Sequence, residues 1–178
     1  MDSAAVRKTV IKPGVLEALV GLSVLVALSG VLMPAVGEEV AESRTVAALG
    51  DLQAISEGLA RYSRDTLFLP TGVEGRTNVA WLYGPGAIPA GHDFGQGGEG
   101  RPLDDALLVN AMGGERWAGP YVTGLSADPW GHAYLVNADG WLTRQEQPLV
   151  LCAGPDGIVQ TPDDAWEPSG DDLLVVLD

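Results

Sequence analysis

The chain has one cysteine, Cys152, so no intramolecular disulfide can brace it. Its two histidines, His92 and His132, lie far apart and lack a second nitrogen or sulfur ligand at metal-site spacing. They read as loop or surface residues, not as a zinc site. Lysine is absent after Lys12, and beyond Gly37 the chain carries 7 arginines against 22 acidic residues. Such an acidic surface argues against nucleic acid as a partner and for either cation binding or simple solubility. A nucleophile–base pair is also missing: Cys152 falls in an expected strand, where a thiol is buried and inert, and neither histidine is near it in sequence.

What the chain does have is an apolar run. Ala18 to Val36 is 19 residues without a charge, close to the length an α-helix needs to cross a bilayer. Arg7, Lys8 and Lys12 precede it and Glu38, Glu39 and Glu42 follow it, which predicts a cytoplasmic N-terminus and an exported remainder. Glu17 stands at the cytoplasmic end, where a carboxylate needs to snorkel or find a cation, and Pro34 near the other end would kink or stop a helix. A cleaved secretory signal, ending at the small residues Ala35-Val36-Gly37, is the competing reading. The length of the run, Glu17 at its start and the helical pattern directly after it favour a retained span.

From Glu38 to Thr66 apolar residues recur at steps of three and four, at Val46, Leu49, Leu52, Ile55, Leu59 and Tyr62, and predict an amphipathic helix that continues the span, locally softened at Gly37 and Gly50. The segments expected are a leader at 1–12, a transmembrane helix half at 13–36, an amphipathic helix half at 37–66 and an exported domain at 67–178. Residues 67–101 are rich in Gly and Pro and read as a long loop with one ordered turn at Val79–Tyr83. Leu103–Met112 reads as a short helix with Asp104 and Asp105 in its first turn. Asp128-Pro129-Trp130-Gly131 is a turn, His132–Val136 a strand, Asn137-Ala138-Asp139-Gly140 a hairpin turn and Trp141-Leu142 the start of a return strand. Leu149–Cys152 and Leu173–Leu177 are the last strands.

Between those two strands lies an acidic segment of Gly, Pro and Thr that cannot be helical, with Asp156, Asp163 and Asp164 within nine residues. Flexible loops of this kind supply carboxylate and carbonyl oxygens to hard cations, calcium more readily than magnesium. The spacing is not that of a helix-loop-helix calcium site, and a solvated acidic loop remains the alternative.

Four motifs together carry a resemblance: Trp117-Ala118-Gly119-Pro120-Tyr121, Asp128-Pro129-Trp130-Gly131 with Tyr134, Ala153-Gly154-Pro155-Asp156-Gly157, and Thr161-Pro162-Asp163-Asp164. In order and spacing, over about 50 residues, they resemble the C-terminal domain of the major pseudopilin family of type II secretion. The N-terminal stretch is similar to the helix of the wider type IV pilin-like superfamily. With Pro13 as the first mature residue, Glu17 matches that family's helix glutamate and Pro34 its helix proline. The resemblance implies an α+β, pilin-like fold: a long N-terminal helix packed on a small antiparallel sheet, with a C-terminal calcium loop. It implies calcium ligands at Asp156, Asp163 and Asp164, with the Ala153 carbonyl beside them, and core positions for Tyr121 and Trp130. It further implies a single-pass inner-membrane subunit with a periplasmic domain. Such a subunit forms a filament with its own copies and with other pseudopilins, and meets the secretion platform. One departure stands in the processing site. The family's peptidase usually cuts after Gly, whereas the register that aligns Glu17 and Pro34 cuts between Lys12 and Pro13, and a cut after Gly14 shifts Glu17.

A structural filament subunit is therefore the leading expectation. The alternatives are a membrane-tethered calcium-binding domain that does not polymerise, a minor pilin of a type IV pilus, and an exported hydrolase using loop metal as a Lewis acid. The last is disfavoured because three carboxylates in a turn suit a closed structural site.

Overall fold

The computed structural model describes residues 13–67, 72–73, 76–77, 79–92, 94, 99–111, 115–138 and 148–177, with side chains described at 14, 38–67, 79–92, 94, 100–111, 115–138 and 148–177. The chain forms two compact units, Met1–Glu42 and Ser43–Asp178. Helix α1, Pro13–Thr66, begins in the first unit. Proline suits the first helical position because its missing N–H has no intrahelical acceptor there. Lys12 lies outside the described residues, as do the side chains of Pro13, Glu17, Pro34 and the rest of the expected span. Among the described residues no helix is long and apolar enough to cross a membrane.

In the second unit, α1 turns one stripe inward. Ala48, Leu52, Ile55, Leu59 and Tyr62 are all at most 2% exposed, at alternating steps of four and three that keep them on one face. Val46 and Leu49, expected on that stripe, are 63% and 43% exposed. The apolar pattern of the sequence is wider than the face that is covered. Gly58 lies on the buried side, where a Cβ would come within 2.9 Å of Val122 Cγ1, so its absence lets the 122 segment close on the helix.

The inward stripe belongs to one apolar cluster with Val79, Leu82, Tyr134, Val136, Val150 and Cys152 of the sheet. The strands are β1 (Gly72–Val73), β2 (Arg76–Thr77), β3 (Val79–Tyr83), β4 (Glu99–Pro102), β5 (Leu135–Asn137), β6 (Leu149–Cys152) and β7 (Leu173–Val176), with helix α2 at Asp104–Leu107. Strands β1 and β2 pair with each other, and the main sheet runs β4-β3-β5-β6-β7. The opposite face buries Leu135, Leu149, Leu151, Ala153, Val159 and Phe94, with Trp81 and Tyr83 against them. Both faces are covered, which is why Leu149–Cys152 is apolar at every position and not at alternate ones.

Several expectations change. The sheet is mixed, not purely antiparallel, because β3 and β4 run parallel. Residues 67–101 are not one loop: β3 is an inner strand of the sheet, β4 an edge strand, and the connection between them brings Phe94 to the second face. One glycine of the stretch that read as loop has a packing role. A Cβ at Gly100 would overlap the Trp81 indole, so only glycine lets that ring lie over β4.

Helix α2 is one turn, shorter than the expected Leu103–Met112. Its last carbonyls are taken from outside, Ala106 O by the Trp117 indole N–H at 3.0 Å and Leu107 O by the Tyr121 N–H at 2.8 Å. Strand β5 starts at Leu135, later than expected, while His132 makes only an isolated bridge to Ala87. Asn137 ends β5 instead of opening a turn, and Ala138 N–H still reaches Ala80 O at 2.9 Å. The expected return strand at Trp141-Leu142 lies outside the described residues.

Candidate functional site

Tyr121, Trp117, Trp130 and Tyr134 of the C-terminal motifs pack into the cluster between α1 and the main sheet. Tyr121 docks the helix. Its ring meets Tyr62 of α1 edge-on at 5.7 Å and Trp117 likewise at 5.7 Å, and its carbonyl accepts Arg61 Nη2 at 2.6 Å. Tyr134 fixes α1 from the sheet by donating to Asp51 Oδ2 at 2.9 Å. Burial and then that carboxylate push the Tyr134 phenol upward.

Asp128 organises the next motif. It is 4% exposed, and its Oδ1 accepts the N–H groups of Trp130 at 2.9 Å and His132 at 2.8 Å. These bonds close the turn that the Asp-Pro-x-Gly sequence predicts, with Gly131 at φ +97°. Its Oδ2 accepts the Cys152 thiol at 3.2 Å and stands 3.8 Å from His132 Nδ1. A Cys, an Asp and a His thus sit together, although the sequence separates them. The thiol is 0% exposed, and burial, with the Asp128 carboxylate adding to it, pushes its pKa up to about 12. A thiol held protonated against a carboxylate is not a nucleophile. Trp130 is half-buried against the core and Tyr121 is 4% exposed.

The acidic loop starts at Gly154 and Gly157, at φ +61° and +68°. Both are glycines for space as well as backbone: a Cβ at Gly154 would overlap Asp171, and one at Gly157 would meet the His132 ring. Asp156 is exposed and uses both oxygens within the loop, Oδ1 for Ile158 N–H and Oδ2 for Gln160 Nε2, each at 2.8 Å. Asp163 is placed by its carbonyl, which accepts the amide of Asn137 on β5 at 3.4 Å, and Asp164 is exposed. Ala153 is 0% exposed beneath the loop. Among the described residues no three His, Cys, Asp or Glu side chains come close enough to hold a metal ion. The sequence-derived carboxylates are therefore not gathered here into one shell.

One residue outside that set has the chemistry of a ligand. Asp172, just before β7, is 3% exposed; its Oδ2 accepts Gln160 N–H at 2.8 Å and Thr161 N–H at 2.7 Å. Its Oδ1 is buried without a hydrogen-bond partner among the described residues. An oxygen so placed costs about 1–3 kcal/mol, and more when charged, unless something offsets it. Such an orphaned, buried carboxylate oxygen fits a cation at Asp172. Sequence reasoning passed over Asp172 because it adjoins an apolar run; an acid held at the root of a strand was the available signal.

Residues 90–167 match the family model described as type II secretion system (T2SS), protein G. The match covers a little under half of the chain and contains all the motifs described above. No curated protein and no solved structure matches the chain.

Proposed function

We propose that the protein is a structural, pseudopilin-like subunit of a type II secretion apparatus, held in the inner membrane by residues 13–36 and assembling through that segment into a periplasmic filament with its own copies. The observation that carries this reading is the family match over residues 90–167, the region in which Tyr121, Asp128 and the acidic loop are packed around one sheet. It supports a role in type II secretion, and that family is a structural component of the apparatus, not an enzyme. Filament formation is supported by the apolar run and by Glu17 within it. In lipid that carboxylate costs a few kcal/mol unless paired, and the freed terminal amine of a neighbouring copy, after loss of residues 1–12, pairs with it. Other pseudopilins and the inner-membrane platform are the further partners.

Calcium is part of the proposal. Asp156, Asp163, Asp164 and the Ala153 carbonyl are the hard oxygens that the resemblance supplies, and the unpartnered Oδ1 of Asp172 supports a cation from the side of the fold. When bound, the cation neutralises loop carboxylates and ties the loop to the strands that flank it.

The test of assembly is crosslinking of the full-length protein in membranes of its native host. Ladders of multimers that vanish in Glu17→Ala are expected. Monomers alone in the wild type, with residues 1–12 still present by intact mass, would overturn the filament and leave a tethered, non-polymerising domain.

A further inference from the structure

The two edges of the main sheet are built differently. Strand β4 forms one of them with Glu99-Gly100-Arg101-Pro102, so charge, glycine and proline stand where they discourage a further strand. Strand β7 forms the other with Leu173-Leu174-Val175-Val176, all half-buried, and carries none of these devices. Its inner side is held by β6. Leu177 N–H donates to Pro148 O at 2.8 Å, and in the same register Val175 pairs with Val150 and Leu173 with Cys152. An antiparallel ladder alternates, so the N–H and C=O groups of Leu174 and Val176 point away from β6. Among the described residues no strand pairs with β7 on that side. Leu173 and Val175 pack against the α1 cluster, which leaves Leu174 and Val176 half-exposed on the opposite face.

Charge selects what can add there. Asp171 and Asp172 precede β7 and Asp178 follows Leu177, in a chain of net charge -14. A second copy of β7 would set acid against acid at the strand ends, whether it ran parallel or antiparallel. A strand bounded by lysine or arginine meets opposite charge at both ends. We propose that the outer edge of β7 is a docking edge for an extended segment of another protein, with apolar residues opposite Leu174 and Val176 and basic residues on either side of them. The segment extends the sheet by one strand. Its main chain takes the outward N–H and C=O groups, its alternate side chains cover Leu174 and Val176, and its cations offset the flanking acids. Such a partner is additional to copies joined through residues 13–36, because β7 belongs to the second unit.

The experiment is fluorescence anisotropy of labelled peptides titrated with full-length protein in uncharged detergent. The probe is Lys-Lys-Thr-Val-Thr-Val-Thr-Lys-Lys, which presents the same residues in either direction. It is expected to bind, and two relatives to bind about tenfold more weakly or worse. One has glutamate for each lysine; the other has proline for each valine, which keeps the charge but cannot pair. Val176→Pro deletes only an outward N–H, so it should leave the melting temperature within about 3 °C of wild type and lower affinity for the lysine peptide about tenfold or more. If Val176→Pro melts far below wild type, Val176→Lys takes its place, with the same expected loss from a like charge on the edge. Failure of the lysine peptide to bind, equal binding of the proline peptide, or unchanged affinity in the deciding variant overturns the docking edge. Sedimentation at rising protein concentration covers the other occupant: self-association of wild type that Val176→Pro abolishes assigns the edge to a second copy and overturns the basic partner.

Discussion

Asp128 does more than its turn motif requires. A proline-containing turn needs only an acceptor at its first residue, which Oδ1 supplies to Trp130 and His132; the second oxygen reaches Cys152 on β6 and so joins the turn to the sheet. Asp128→Ala should cost about 2–4 kcal/mol, because two N–H groups and a thiol lose their acceptor at once. Asp128→Asn should cost clearly less, since one oxygen remains. Guanidinium unfolding of the full-length protein in detergent measures both, and an alanine variant within about 0.5 kcal/mol of wild type would refute the role. The turn was legible from four consecutive residues. The partnership with Cys152 was not, because 24 positions separate the two and nothing local marks their contact.

Among the elements, α1 shows how far periodicity reaches. Its steps of three and four mark a helix, and the helix runs to Thr66. Which apolar residues are covered depends on what lies opposite, and the sheet covers Ala48, Leu52, Ile55, Leu59 and Tyr62 while Val46 and Leu49 face out. Leu52→Ala and Leu59→Ala should each destabilise the second unit by about 2–5 kcal/mol through lost burial and a cavity. Val46→Ser and Leu49→Ser should stay within about 0.5 kcal/mol. Thermal unfolding in detergent separates the pairs, and equal losses at Leu59 and Leu49 would contradict this placement. Strands β3 and β4 were hidden for a related reason. Gly100 weakens strand propensity locally, but the Trp81 ring that lies over it contributes the packing that its missing side chain cannot.

For the molecule as a whole, alkaline pH is a sensitive probe of the packed groups. Burial raises Cys152 from its ordinary 9.0 to about 12, and it also raises Tyr62, Tyr121 and Tyr134 above their ordinary 10.0. The folded state keeps these protons at pH values where the unfolded chain has released them, so stability falls as pH rises. It is fully present below about pH 9 and is lost from there toward about pH 12. Melting temperature is expected to hold level to about pH 9 and then decline, with Cys152→Ala moving the onset toward about pH 10, where the tyrosines begin. An onset unmoved in Cys152→Ala would show that the thiol is not the first group to respond. At this scale too, the family match over residues 90–167 and the motif resemblance agree on type II secretion.

The sequence by itself determined whatever local order expresses: the helix ending at Thr66, the strand at Leu149–Cys152, the turn at Asp128 and the acidic segment after Gly154. These depend on propensity, period and turn chemistry, which act between near neighbours. Only the tertiary structure decided that β3 and β4 pair in parallel, that Asp128 meets Cys152, and that buried Asp172 accepts the Gln160 and Thr161 N–H groups while Asp163 is held at Asn137. Those outcomes depend on which distant segments exclude water from one another. A carboxylate acquires the character of a ligand or of a staple from that burial, and spacing along the chain does not record it.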